Sequence, residues 1–228
     1  MSGTESVRPP IAIDGPAVSG KSSVGKSFAS RIGYRFLDTG LMYRAATWNA
    51  VLSGVDVNDP TAVASAAEKM EFSVVDDESG GNLIFINGED VTAHLHSTEV
   101  DDSVSAVAAV GRVREIMVAE QRRLAGEGDI VMVGRDIGTV VIPDAPLKIY
   151  LTASARTRAI RRHRDFIAEG TEVDLEDILR SMERRDLVDS SREDSPLRPA
   201  DDARVIDTDS LTFDQVVDLL SELAKEVL

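Results

Sequence analysis

The stretch GPAVSGKS at residues 15–22 constrains this chain more than any other. The short run before it, IAID at residues 11–14, is cut off by Gly15-Pro16. It is too brief for a helix and suits a buried strand. After the loop, Val24, Phe28 and Ile32 recur at helical spacing as far as Gly33, a residue that often ends a helix in the left-handed conformation. A buried strand, a glycine-bounded loop and a helix, in that order, belong to α/β proteins built on a parallel sheet.

The rest of the chain continues the alternation. Phe36-Leu37 reads as a second strand ending at Asp38-Thr39-Gly40, and residues 41–52 as a helix. Between 56 and 100 the texture changes: an alanine-rich helix at 61–70 leads to EFSVV, a Gly80-Gly81 turn, NLIFI, an Asn87-Gly88 turn and EDVT. Asn-Gly between apolar-rich runs is a strong hairpin signal, so a small antiparallel insertion is expected here. Residues 103–124 read as one helix, and 130–133 and 147–151 as buried strands. Two charged helices within 154–192 are parted at Glu169-Gly170-Thr171, a hinge-like break, and RVID at 204–207 is a last strand. The final helix carries a capping box at Thr212 and Gln215 and an apolar stripe of Val216, Leu219, Leu220 and Leu223. The expected fold is a five-stranded parallel sheet flanked by helices, in a single domain, with residues 1–8 a disordered lead-in.

The spacing G-x-x-x-x-G-K-[ST] has a chemical reason. Glycines let the loop amides turn inward around a β-phosphate, and the helix starting near Lys21 adds the positive end of its dipole. Lys21 reaches the β- and γ-phosphates, and Ser22 offers its hydroxyl to Mg²⁺. The loop therefore implies ATP or a related triphosphate with magnesium, and is silent on where the γ-phosphate goes.

Composition removes several destinations. With 25 basic against 40 acidic residues the net charge is −15, the wrong sign for a protein that coats nucleic acid. There is no cysteine, and His94, His96 and His163 are scattered, so disulfides and a structural zinc site are not expected. No signal-like N-terminus and no long apolar run is visible, which favours a cytoplasmic protein without a membrane partner. A guanine-nucleotide switch would carry Asn-Lys-x-Asp, and none of the four asparagines precedes a lysine. A motor would usually end a strand in adjacent acids, whereas 130–133 ends in Gly134-Arg135-Asp136. An arginine there borders the crevice in which such sheets bind ligands, and can hold a second anion.

The segments GPAVSGKS, DTGLMYRA, INGEDVT, SAVAAVGRVRE, VGRDIGTVVIPDAPLKIYLTAS and RRDLVDSSREDSPL, in this order over nearly the whole chain, resemble the bacterial cytidylate kinases. The resemblance implies a nucleoside monophosphate kinase fold, with a core at about 9–55, 100–155 and 196–228. It further implies an acceptor-binding region holding the β insertion at about 39–110, and a helical lid at about 156–192. It implies transfer of the γ-phosphoryl of ATP to CMP or dCMP by a monomer. ATP contacts then fall on Gly15, Pro16, Ala17, Val18, Ser19, Gly20, Lys21, Ser22 and Ser23, with Ser22 on the metal. Thr39, Tyr43, Arg44 and Arg135 fall on the acceptor side, and Ser105, Arg114 and Asp136 where the cytosine is read. Arg185, Asp189 and Arg192, at helical i, i+4, i+7 spacing, fall near ribose and phosphates. Arg158, Arg161 and Arg162 are carried by the lid onto the donor phosphates. Lys21, Arg135, Arg158, Arg162 and Arg185 form the catalytic set. This chain departs from the family in bulky Val18, where small residues are usual, and in Thr39, where serine is frequent.

The chemistry is compatible. An acceptor phosphate with a second pKa of about 6 is largely a dianion at neutral pH and needs no general base. Bringing it against a triphosphate calls for positioning and neutralisation, which forked arginines do well. Cytosine offers an N4 donor to a carboxylate, and O2 and N3 acceptors to arginine or serine. Ser105 and Arg114, nine residues apart on one expected helix, do not share a narrow face, and the insertion is assigned no chemistry. Two alternatives remain open at this point: a kinase for UMP, AMP or a shikimate-like acid, and a switch that binds ATP without turnover.

Overall fold

The computed structural model describes residues 7–168, 170–192 and 194–228. In chain order its elements are β1 (Ile11–Asp14), α1 (Lys21–Ile32), β2 (Arg35–Asp38), α2 (Thr39–Leu52), α3 (Pro60–Glu68), β3 (Phe72–Asp76), β4 (Asn82–Ile86) and β5 (Glu89–Asp90). Then follow α4 (Thr98–Val107), α5 (Gly111–Gly126), β6 (Ile130–Gly134), β7 (Leu147–Thr152), α6 (Ala155–Ala168), α7 (Leu175–Ser191), β8 (Arg204–Asp207) and α8 (Phe213–Lys225).

Five strands form a parallel sheet in the order β2-β6-β1-β7-β8. Because side chains alternate along a strand, Ala12 and Met132 face one layer while Ile11, Ile13, Val131 and Val133 face the other. The first layer packs with Met42, Val113, Met117 and Ile137. The second packs with Phe28, Ile149, Leu151, Val217 and Leu220. Burial on both faces is what a parallel sheet between helices requires. The register pairs Asp14 with Gly134 and Asp38 with Val133, so the segments leaving β1, β2 and β6 emerge together at one edge.

The insertion is a separate antiparallel sheet in the order β3-β4-β5, as the Asn87-Gly88 signal suggests. It is fastened to the main sheet at its outer strand. The buried side chain of Asn82 accepts from the Asp38 N–H at 2.9 Å and donates to the Phe36 carbonyl at 2.7 Å, standing in for the next strand beside β2.

Four expectations need correction. Residues 103–124 are not one helix: α4 starts at a Ser97 cap and ends at Val107, and α5 begins at Gly111. Val110 between them is extended, and the Arg114 guanidinium donates to the Ala108 carbonyl at 3.2 Å, one of those left free by the break. Arg8 does not belong to a disordered lead-in. It stacks over Tyr34, pairs with Asp129 and donates to the carbonyls of Ile32 at 3.0 Å and Gly33 at 2.7 Å. Residues 1–6 of that segment lie outside the described residues. In α8 the capping box is present, but Leu219 is exposed and Val217 is buried in its place. Arg192 stands just past the end of α7, not within it. Of the hinge-like break, Glu169 lies outside the described residues, and Gly170 has a φ of 76°. Among the described residues no helix is long and apolar enough to cross a membrane.

Candidate active site

The loop at 15–20 leaves the centre of the sheet and closes on itself. Gly15 has a φ of 153°, and a Cβ there would lie 2.1 Å from the Leu151 carbonyl oxygen, so the approach to β7 demands glycine. Gly20 precedes α1 without a capping side chain, which leaves the first-turn amides free for an anion. Lys21 is buried and folds back onto the Pro16 carbonyl at 2.9 Å. Burial drives its pKa well below the ordinary lysine value, with Arg135 and Arg185 adding repulsion and Asp38 and Asp14 partly offsetting it. Ser23 donates to the Gly20 carbonyl, and the buried Ser19 hydroxyl has no partner among the described residues.

Val18 explains its own oddity. Its φ is 57°, a region that costs a β-branched residue of order 1–2 kcal/mol. The side chain turns outward onto Ala159, Ile178 and Met182, the apolar cluster between α6 and α7. Arg158 donates to the carbonyls of Ala153 and Ala17 and pairs with Asp186 at 2.5 Å. Arg161 bridges the Ser19 carbonyl and Thr208. These two lie on the loop, whereas Arg162 turns the other way, to Asp101 on α4. The three lid arginines therefore do not share a target.

Across the crevice the acceptor-side residues gather. Arg135, directly after β6, donates to Asp189 at 2.9 Å and to the Gly15 carbonyl at 3.1 Å. Asp189 also pairs with Arg192, and Arg44 pairs with Asp101 at 2.7 Å. Burial lowers the pKa of Arg135. Arg185 is pushed down to about 9 by burial and then by Arg135 and Arg44. Arg192 is pushed down to about 10 by burial, Arg114 and Arg135. The Nε of half-buried Arg185 has no hydrogen-bond partner among the described residues. Such crowded cations are what a polyanion would relieve.

Behind them Arg114 and Asp136 form a buried ion pair, with Arg114 also over the Tyr43 ring. The buried Tyr43 hydroxyl is pushed up to about 12 by burial, against the opposing charge of Arg114, and has no partner among the described residues. Thr39 donates to the Val133 carbonyl at 2.8 Å, so its hydroxyl ties the start of α2 to β6. Ser105 is half-buried on α4, on a different helix from Arg114.

Two carboxylates at strand ends were not singled out from the sequence. Asp14, pushed up to about 6 chiefly by burial, accepts from the N–H groups of Ile137 at 2.8 Å and Gly138 at 2.7 Å. It thereby clamps the π-helical turn Ile137–Val141, which follows Asp136. Asp38 accepts from the Ser22 hydroxyl at 2.5 Å and from the Gly40 N–H at 2.9 Å. Their position at the carboxyl ends of β1 and β2 is the signal that could have found them. Ser22 and Asp38 together offer hard oxygen donors at the mouth of the loop, a set that fits Mg²⁺.

Comparison with known proteins agrees with this arrangement. Residues 11–226 match the family described as cytidylate kinase. A cytidylate kinase of Rhodococcus jostii is 50% identical over 217 residues, covering 95% of this chain and 94% of that protein. One of Streptococcus suis is 47% identical over 218 residues, covering 96% and 97%. A shikimate kinase structure from Bacteroides thetaiotaomicron shares the fold at 12% identity, with a TM-score of 0.50 over 95% of this chain and 98% of its own. A strand-end loop with an uncapped helix, facing a half-buried arginine cluster, over a sequence that matches from β1 into the turn after α8, leads to one conclusion: the chain belongs to the cytidylate kinase family and is a phosphotransferase.

Proposed function

We propose that the protein transfers the γ-phosphoryl group of ATP to CMP or dCMP, giving ADP and CDP or dCDP, as a Mg²⁺-dependent cytoplasmic monomer that acts on free nucleotides and not on nucleic acid. The observation that carries this is the facing of two unlike anion sites within one crevice: Lys21 and the α1 amides on one side, Arg44, Arg135, Arg185 and Arg192 on the other.

The loop at 15–23 holds the triphosphate by backbone amides and Lys21. Ser22, with Asp38 behind it, would hold magnesium, whose charge would offset that of the donor phosphates. The acceptor dianion is its own nucleophile, so the residues position and neutralise and no side chain removes a proton. Arg44 and Arg135 orient the acceptor phosphate, and Asp189 and Arg192 meet the ribose. Asp136, polarised by Arg114, accepts from cytosine N4, and Ser105 lies beside that pocket on α4. Arg158 and Arg161 neutralise the donor side, and Arg162 and Arg185 the transferring group. Residues 156–192 act as a lid over a core at 9–55, 100–155 and 196–228, with the acceptor region at 39–110.

Coupled release of ADP, measured over CMP, dCMP, UMP, AMP and shikimate, tests the proposal. Turnover with CMP and dCMP at least tenfold above the others is expected. Preference for UMP, AMP or shikimate, or no acceptor-dependent release at all, would overturn it.

A further inference from the structure

Most of the site arginines are paired with carboxylates of the chain itself, and two of these carboxylates, Asp189 and Asp101, each take two guanidinium groups; the second of them, Asp101, does so from a helix start. It lies in the first turn of α4, where an acid is favoured by the helix dipole whether or not it touches anything. Its neighbours Glu99 and Asp102 are exposed. Asp101 instead turns inward and takes two guanidinium groups at once. One oxygen lies 2.7 Å from Nη1 of Arg44 on α2, the other 3.3 Å from Nη2 of Arg162 on α6. One carboxylate thus straps the acceptor side of the crevice to the helix pair across it.

The strap sits where anionic charge is wanted. Asp101 is also the acid whose charge offsets the crowding of Arg185 by Arg135, Arg44 and Arg192. Arg44 has a second hold, donating to the Leu95 carbonyl at 2.8 Å, so its place does not depend on Asp101. Resting on the reading of Arg44 as a phosphate contact, we propose that Asp101 is an internal stand-in for the acceptor phosphate: its carboxylate occupies Arg44 and Arg162 in the empty site and yields them to the incoming dianion. A phosphate brings more charge and a third oxygen to the same forks, so the exchange favours the ligand once it arrives. Exchange also unties α4 from α6 and frees Arg162 for the group in transfer. Asp101 lowers acceptor affinity in return for a charge-balanced empty site.

The test is Asp101→Asn, which keeps shape and removes charge, with Asp101→Ser as a second variant that keeps a residue favoured near a helix start. Inorganic phosphate is titrated calorimetrically into each, and KM and kcat for CMP are measured. Both variants are expected to bind inorganic phosphate about three- to tenfold more tightly, the worth of two partly exposed ion pairs. The KM for CMP should fall in parallel, with kcat within about twofold of the parent. The melting temperature should drop in phosphate-free buffer and recover as phosphate is added. Unchanged or weaker phosphate binding in both variants would overturn the inference and make Asp101 a scaffold for Arg44. Failure of the parent protein to phosphorylate CMP would remove the proposed function instead, and the phosphate titration, which needs no nucleotide, would still decide the role of Asp101.

Discussion

The two halves of the crevice are held in opposite ways. The donor loop takes its shape from local contacts, Lys21 onto Pro16, Ser23 onto Gly20 and positive φ at Gly15, Val18 and Gly20, and meets remote charge only as Arg135, Arg158 and Arg161 donating to its carbonyls. The acceptor side is organised by charges from remote elements, with Arg135 and Asp189 54 residues apart and Arg162 and Asp101 61 apart. A loop of amides carries only partial charge and can wait empty. A nest of arginines has to be balanced by carboxylates until its ligand comes, because unpaired buried charge is costly.

The same difference governs what could be read from the residues. A local site writes its geometry into spacing, so GPAVSGKS, its strand and its helix were legible, as were the five parallel strands and the hairpin at Asn87-Gly88. Long-range pairing leaves no spacing to read. Residues 108–110 look helical by composition, and only the extended Val110 and the hold of Arg114 on Ala108 show why the helix stops. Asp14, Asp38 and Asp101 are ordinary acids in the sequence; they gain meaning from what the sheet register and the α2, α4 and α6 packing bring to them. The donor side has long-range parts that spacing does not show either: Val18, a strained residue explained by a remote apolar cluster, and the loop carbonyls that Arg135, Arg158 and Arg161 reach.

If the halves are separable, Lys21→Ala should show the largest effect. Turnover should fall about a thousandfold or more, the scale of losing a charged donor to the transferring group. CMP binding, followed by calorimetry, should persist, since Lys21 presently crowds Arg135 and Arg185. Equal loss of CMP binding would mean that one charge network spans both sides.

Asp136→Asn probes the acceptor half alone. The KM for CMP should rise about ten- to a hundredfold, the worth of one to two base hydrogen bonds, while the KM for ATP stays within about twofold. Stability should fall as well, by about 3 kcal/mol in denaturant titration, because buried Arg114 loses its counter-ion. A shift in ATP alone would place Asp136 on the wrong side of the crevice.

The smallest effect expected comes from Asn82, the residue through which the insertion, otherwise packed on α2 by Ile84 and Ile86, hydrogen-bonds to the edge of the main sheet. Its amide holds the backbone of Phe36 and Asp38, and Asp38 in turn holds the Ser22 hydroxyl. The insertion is thereby a brace for the donor side, although residues 39–110 are proposed as the acceptor region. Asn82→Ala leaves a backbone N–H and a carbonyl unpaired at the edge of β2, a cost of about 2 kcal/mol. The loosened Asp38 should raise the Mg²⁺ concentration for half-maximal activity about threefold, with the KM for CMP unchanged within about twofold. A generally weakened fold would not single out the metal dependence, and Asn82→Asp, which keeps the acceptor for the Asp38 N–H, should recover part of it. If the KM for CMP rises and the Mg²⁺ dependence does not move, the insertion serves the acceptor side, and the boundary between the two halves runs through Asn82 differently from the hydrogen bonds that define it.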